Sequence, residues 1–152
     1  MTNTLICVII KIMYDAVGAT FLSQNTKKFC FNKRSKRVSN SGTWSFWGGK
    51  VERGETVIGA LKREIKEEIG FVPEILKIHP LDIYQSSDGH FMYHTFVIVT
   101  PTEFKPELNH ESQDFCWTRM NRFPRPLHQG ARKTLLDKNN VKKLKLIVNT
   151  IS

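Results

Sequence analysis

One stretch of this sequence, residues 49–71, concentrates the side chains that could carry out chemistry. Three of its carboxylates, Glu64, Glu67 and Glu68, lie within five positions of one another. Carboxylates so close together repel one another, so a cation is expected among them. Oxygen ligands with no neighbouring His or Cys cluster favour Mg²⁺ or Mn²⁺ over zinc, and Mg²⁺ commonly binds substrate phosphate as well. The stretch therefore predicts a site for a divalent metal and a phosphate group.

A helix over residues 56–69 is the element that must position these carboxylates. With 3.6 residues per turn, four apolar side chains fall on one stripe that can pack on a core, and the glutamates share an arc beside it. The stripe consists of Ile58, Leu61, Ile65 and Ile69. Gly70 follows the last of them and fits a helix C-cap. The pattern predicts a docked helix that presents its acidic edge to a ligand.

The loop before this helix is rich in glycine, which permits close approaches and backbone angles that side chains forbid. A backbone carbonyl there could complete the shell of a metal ion. The glycines are Gly48, Gly49 and Gly54. Arg63 is within reach of Glu67 on the next turn, and it could instead bind Glu55 and fix the loop against the helix. Both partners are left open.

These residues resemble the Nudix box, G-x5-E-x7-R-E-U-x-E-E-x-G-U with U a bulky apolar residue, at every position. The matching residues are Gly49, Glu55, Arg63, Glu64, Ile65, Glu67, Glu68, Gly70 and Phe71. Membership of the Nudix hydrolase family implies an α/β fold, an α/β/α sandwich with a central mixed sheet, here as one domain over residues 1–152. The segments GGKVERGET, LNHES and PRPLHQG look most like small Nudix pyrophosphatases of bacteria and their phages.

The resemblance also implies an activity, the Mg²⁺-dependent hydrolysis of a pyrophosphate bond in a nucleoside diphosphate linked to another moiety. ADP-ribose, dinucleoside polyphosphates and flavin adenine dinucleotide lead as substrates. Nucleoside triphosphates and nucleotide sugars form the alternative, and Mn²⁺ is a substitute metal. A further alternative, from a different class, is a non-catalytic module that binds nucleotide or RNA. The intact REIKEE segment favours catalysis, because a binding module has no need of all three carboxylates.

The same resemblance assigns roles to individual residues. Glu111 precedes a strand tryptophan in NHESQDFCW, where many family members carry a glutamate that reaches back to the metal. Arg63 is expected to act in catalysis by organising the site, and the general base is either Glu64 or Glu111. The expected metal-binding residues are Gly48, Glu64, Glu67, Glu68 and Glu111.

Substrate contacts are expected from a basic loop, an aromatic segment and a strand. Residues 34–42 form a loop from which Arg34 or Arg37 could reach phosphate. Trp44 and Trp47 could stack on a base, although aromatics at alternating strand positions are more often core. Trp47 stands where the family often has proline. Tyr93, in a predicted strand, completes the set.

The composition is that of an ordinary globular protein with a basic surplus. Hydrophobic residues make up 40% and charged residues 24%, which excludes a disordered chain, and the formal net charge is +9. Because the box is acidic, this surplus lies elsewhere and can attract polyanions. A nucleotide substrate is the predicted partner, while nucleic acid and a homodimer are left open.

Cysteine usage and hydropathy together predict a cytoplasmic protein. Cys7, Cys30 and Cys116 are odd in number, far apart and without a CxxC pair, so we expect reduced thiols rather than a disulfide framework or zinc site. The apolar run at residues 5–10 lacks a basic leader and is too short to span a membrane, so we expect neither a signal peptide nor an anchor.

The remaining elements follow from apolar periodicity and turn residues. Strands are predicted at residues 5–13, 18–23, 28–33, 74–85, 91–100 and 114–118, with a turn near Tyr14 and Asp15. Residues 74–85 and 91–100 should form a hairpin around the turn at residues 86–89. A short helix is predicted at residues 130–137, and the tail at residues 141–151 fits either a helix or an edge strand.

Overall fold

β-Branched and aromatic residues cluster in the strands of this chain, and the computed structural model, which describes residues 13–152, joins those strands into one mixed sheet. The strands are β1 Tyr14–Ser23, β2 Phe29–Arg34, β3 Trp44–Ser45, β4 Trp47–Lys50, β5 Lys77–Gln85, β6 Phe91–Thr100 and β7 Ser112–Thr118. Their order is β3-β2-β1-β6-β5, with β4 also paired to β1 and β7 to β2. Only the β1–β6 pair is parallel among the pairs in this part of the chain.

Strand β1 is the central strand of the sheet. One edge of it pairs with β6 along its whole length, and the other edge is divided between β4 and β2. Gly18 of β1 faces Gly48 of β4, so two glycines lie side by side near the start of the box. The arrangement places the glycine loop directly against the most buried strand.

Helices cover both faces of the sheet, as the α/β/α prediction requires. They are α1 Val57–Ile69, α2 Gln129–Leu136 and α3 Lys138–Thr150. On one face α1 packs Leu61, Ile65 and Ile69 against β1 and β4. On the other face α2 and α3 contribute Ala131, Leu135, Leu144 and Ile147 to a second apolar cluster. The central mixed sheet with helices on both sides is therefore confirmed.

Helix α1 begins one residue later than predicted, at Val57, and ends at the predicted C-cap. Thr56 is the N-cap, and its side chain accepts a hydrogen bond from the Gly59 N–H at 2.9 Å. Gly70 ends the helix at φ 83°, a left-handed conformation that favours glycine. Of the predicted stripe, Ile58 alone is only half-buried, because it lies in the first turn.

Most other predictions hold, with corrections at the element ends. The turn predicted near Tyr14 and Asp15 is wrong, because β1 begins at Tyr14 and pairs with β6 from there. The predicted hairpin is confirmed as β5 and β6, although β5 begins at Lys77. The tail, which the sequence left undecided, is helix α3, and it buries Leu144 and Ile147.

Some predictions fall outside the described residues. The strand at residues 5–13, the apolar run at residues 5–10 and Cys7 lie wholly or almost wholly in residues 1–12. Cys30 and Cys116 are free thiols, the first buried and the second half-buried. Within residues 13–152, no helix is long and apolar enough to cross a membrane.

Candidate active site

The three glutamates of α1 differ greatly in exposure. The Glu67 side chain is 54% exposed and that of Glu64 is 13% exposed, whereas Glu68 is almost fully buried at 4%. Burial raises the pKa of Glu64, and it raises the pKa of Glu68 well above its usual range, with further increases from Glu64 and Glu111. The helix therefore holds buried carboxyl groups whose ionised forms lack a sufficient counter-charge.

Glycines of β4 let this negative charge lie directly against the strand. Glu68 Oε2 accepts a hydrogen bond from the Gly48 N–H at 3.1 Å. A Cβ atom on Gly49 would come within 2.5 Å of the Glu64 carboxylate. Gly48 has φ +150°, and a Cβ atom there would meet the Val17 carbonyl oxygen at 1.9 Å. Side chains at either position would displace the groups that form the site.

Arg63 binds the glycine loop to the helix, and both partners that the sequence left open are used. Its guanidinium donates to both carboxylate oxygens of Glu55, at 2.8 and 2.9 Å, and to the Lys50 carbonyl at 3.0 Å. It also donates to Glu64 at 3.0 Å and, more weakly, to Glu67 at 3.4 Å. The hydrogen bond from Arg63 lowers the pKa of Glu55, and the same bond raises that of Arg63.

We expect Arg63→Lys to lower turnover by about 10- to 100-fold while KM changes less, because an ammonium keeps the charge but loses the planar fork. Steady-state kinetics would measure both parameters. Arg53→Lys is the matched control, since Arg53 is exposed in the same loop and lies outside these contacts. A rise in KM with unchanged turnover would show that Arg63 binds substrate instead.

Glu111 lies close enough to α1 to act on its carboxylates, since its charge raises the pKa of both Glu64 and Glu68. Two residues that the sequence analysis missed hold its backbone. The Glu111 N–H donates to Asn109 Oδ1 at 2.9 Å, and its carbonyl accepts from the Ser35 N–H at 2.8 Å. Asn109 also donates to the Glu67 carbonyl at 3.1 Å. An Asn two positions before the glutamate is typical of an Asx-turn, which was the available signal.

The chemistry of these donors fits a hard divalent cation. No three His, Cys, Asp or Glu side chains within residues 13–152 already converge as a metal site. Among the described residues, the buried carboxylate of Glu68 nevertheless accepts a single hydrogen bond, from a neutral backbone group, and two further carboxylates raise its pKa. A cation near Glu64, Glu68 and Glu111 would remove this repulsion, and oxygen-only donors suit Mg²⁺.

Two of the residues expected to contact substrate are arginines. Arg34 donates to the Ser39 carbonyl at 2.7 Å, and its charge acts on Glu68, Tyr93 and His128, so it lies near the carboxylates. Arg34 is the last residue of β2 rather than a loop residue, and Arg37 is exposed in the loop that follows it. Their contact with phosphate stays a prediction.

The aromatic residues require a correction. Trp47 is fully buried beneath α1, and its indole N–H donates to the Cys30 carbonyl at 3.1 Å, so it is a core residue and does not stack on a base. Trp44 is half-buried with Lys33 Nζ 5.8 Å from its ring centre. Tyr93 packs its hydroxyl against Gly18, and burial raises its pKa. Trp44 and Tyr93 stay candidates.

The site combines the glutamates of α1, the glycines of β4 and the guanidinium of Arg63 on an α/β/α sandwich. This combination defines a class of enzyme, the pyrophosphohydrolases that act on phosphoric anhydrides. The NUDIX domain family matches residues 14–138, which is most of the chain. The chain therefore belongs to the Nudix family.

Individual relatives agree on the family and differ in their stated substrates. Nucleoside triphosphatase NudI of Escherichia fergusonii is 32% identical over 105 residues, covering 62% of this chain and 74% of that protein. An ADP-ribose pyrophosphatase of Methanocaldococcus jannaschii is 34% identical over 90 residues, covering 57% of this chain and 52% of that protein. A solved MutT NUDIX hydrolase from Burkholderia pseudomallei superposes with a TM-score of 0.62 at 25% identity, covering 80% of this chain and 95% of that one.

Proposed function

We propose that this enzyme hydrolyses a pyrophosphate bond in a nucleoside diphosphate linked to another moiety and that it requires Mg²⁺. The observation that carries the proposal is the buried Glu68 carboxylate beside Glu64 and Glu111, whose combined charge needs a cation. The ADP-ribose pyrophosphatase named above supports this substrate class, which also includes dinucleoside polyphosphates and flavin adenine dinucleotide.

In the proposed site Glu64, Glu67 and Glu68 hold the metal, with the Gly48 carbonyl and Glu111 as further ligands. Mg²⁺ bound there would neutralise phosphate oxygens and lower the pKa of a water molecule. Arg63 keeps the loop and the helix in register through Glu55 and Lys50. Glu64 is the preferred acceptor of the proton of the attacking water, with Glu111 as the other candidate base.

A nucleoside triphosphatase is the second candidate, and one observation favours it. The match to nucleoside triphosphatase NudI spans 74% of that protein, whereas the match to the ADP-ribose pyrophosphatase spans 52% of its length. The non-catalytic alternative is set aside, because the chain is a pyrophosphohydrolase with all three box glutamates.

A substrate screen separates the two candidates. ADP-ribose, a dinucleoside tetraphosphate, flavin adenine dinucleotide, the nucleoside triphosphates and a nucleotide sugar would each be incubated with Mg²⁺ and the products resolved by chromatography. We expect ADP-ribose to yield AMP and ribose 5-phosphate. Preferred release of pyrophosphate from a triphosphate would replace our proposal with the second candidate. Cytoplasmic location stays a prediction, and the homodimer and the nucleic-acid partner stay open alternatives.

We expect Mg²⁺ to raise the Tm of the protein by an amount that grows with pH. A carboxyl whose folded pKa is raised contributes stability that is present below its unfolded value of 4.5 and lost as pH rises through the folded pKa. The metal binds the ionised form of these carboxylates. At a concentration of about 100 times its Kd, Mg²⁺ should therefore raise the free energy of unfolding by about 2.7 kcal/mol near neutral pH.

Thermal unfolding with and without Mg²⁺ at about pH 5 and about pH 8 would measure this effect, because metal binding requires deprotonated carboxylates. The Tm difference should be larger at the higher pH. An equal difference at both values would contradict the assignment of Glu64 and Glu68 as ligands. Ca²⁺ and Mn²⁺ provide controls for ion size.

A further inference from the structure

The basic charge of this protein is concentrated near its C-terminal end. Residues 119–152 contain nine of the 23 Lys and Arg residues but one of the 14 Asp and Glu residues, so this segment carries +8 of the net charge of +9. The preceding 118 residues are close to neutral by the same count. A charge excess confined to one segment attracts polyanions to that segment.

A groove of about 1020 Å³ lies within this basic segment, between the turn at Met120–Arg122, the proline-rich loop that follows it, and α2. Arg122, Arg125 and Arg132 line it, and all three are exposed. No Asp or Glu lines the groove, and no ion pair among residues 13–152 involves these arginines. Three guanidiniums around one groove repel one another, so the groove favours an anionic occupant.

Apolar side chains also line this groove. Phe123 is half-buried and packs edge to face on Phe31, while Leu136 is 61% exposed at the groove. Guanidiniums bind phosphate oxygens through paired hydrogen bonds, and apolar or aromatic surfaces receive the faces of unstacked bases. Duplexes hide those base faces, so the combination of phosphate-binding and base-binding groups suits a single strand.

The basic charge also extends beyond the groove. Helix α3 begins two residues after Leu136, and Lys138, Lys142 and Lys145 follow at a spacing that places them on one exposed face. Like charges at this spacing destabilise an isolated helix unless an anion is near. An anion that contacted both the groove and these lysines would be longer than a mononucleotide.

We propose that the groove lined by Arg122, Arg125 and Arg132 binds a single-stranded nucleic acid. The three arginines contact successive phosphates, and Phe123 and Leu136 contact base faces. Binding here does not depend on hydrolysis at α1, so the groove and the glutamate site can be tested separately.

The test is fluorescence anisotropy with labelled single-stranded RNA and DNA of 12 nucleotides, at several salt concentrations. The groove variant replaces Arg122, Arg125 and Arg132 with glutamine. The matched control variant replaces Lys62, Lys77 and Lys105 with glutamine, which removes the same charge from exposed positions elsewhere. We expect the groove variant to bind at least about tenfold more weakly and its salt dependence to fall by about 2 in log–log slope, with the control close to wild type.

Four results would overturn the proposal. Equal losses in the groove and control variants would show attraction by net charge alone. A parallel loss of kcat/KM for a small nucleotide in the groove variant would place substrate in the groove. Absence of oligonucleotide binding by the wild type, or a preference for anionic vesicles over oligonucleotides, would exclude this ligand. Because all three arginines are exposed, we expect the variant to fold, and Arg125→Gln alone gives the same test if it does not.

Discussion

Replacing Glu68 with glutamine is expected to lower turnover by about 10³-fold or more, because the buried carboxylate is the centre of the proposed metal site. Glutamine keeps the size of the side chain, and its oxygen can still accept the hydrogen bond from Gly48. It removes a charge that the protein interior disfavours, since burial holds the pKa of Glu68 well above its usual range. The metal-free variant should therefore be at least as stable as the wild type near neutral pH.

This combination of lost activity and retained stability separates a metal ligand from a structural residue. Turnover would be measured by chromatography of products, and Tm by circular dichroism with and without Mg²⁺. The increase in Tm with Mg²⁺ should disappear along with activity. Glu67→Gln should act in the same direction, and Glu74→Gln, an exposed glutamate just beyond the box, is the matched control. Turnover within threefold of wild type in Glu68→Gln would refute the site.

Glu64→Gln is expected to be severe, about 10³-fold in turnover, whereas Glu111→Gln should cost about ten- to a thousand-fold. Glu64 lies on the rigid helix against Gly49 and accepts a hydrogen bond from Arg63, while Glu111 lies at the end of a loop. Burial raises the pKa of Glu64 in the metal-free enzyme, whereas a bound metal would lower it.

The pH dependence of turnover at saturating Mg²⁺ distinguishes these two glutamates. A general base must be deprotonated, so turnover at saturating Mg²⁺ should rise with pH through the pKa of that base. We expect this acidic limb to vanish in Glu64→Gln and to persist in Glu111→Gln. The reverse pattern would make Glu111 the base.

The sequence predicted the elements whose residues interact locally. The stripe of α1, its Gly70 C-cap and the β5–β6 hairpin depend on spacings within one helix or turn, and each is confirmed. The start of β1 was missed because Tyr14 and Asp15 gain their partners from β6, which the local pattern does not reveal. The tail is a helix because its apolar residues pack into the second apolar cluster, beside α2.

The sequence predicted which residues form the site but not how deeply each of them is buried. Spacing placed Arg63 near Glu55 and Glu67, and the structure adds Lys50 as a partner. Nothing in the spacing showed that Glu68 would be buried while Glu67 stays exposed, because that difference depends on how α1 lies against β4. Trp47 was misjudged for the same reason, since the side of β4 on which it lies depends on register.

The ten-residue parallel pairing of β1 with β6 makes the folding rate of this chain depend on contacts between residues that are far apart in sequence. Each pair joins residues far apart in the chain, such as Tyr14 and Phe91, so a long loop must close before the central strand gains its longest partner. Chains dominated by such distant contacts fold slowly, typically in milliseconds to seconds. During synthesis the whole glutamate helix is made before β6, so the enzyme is expected to become active only after the second half of the sheet has formed.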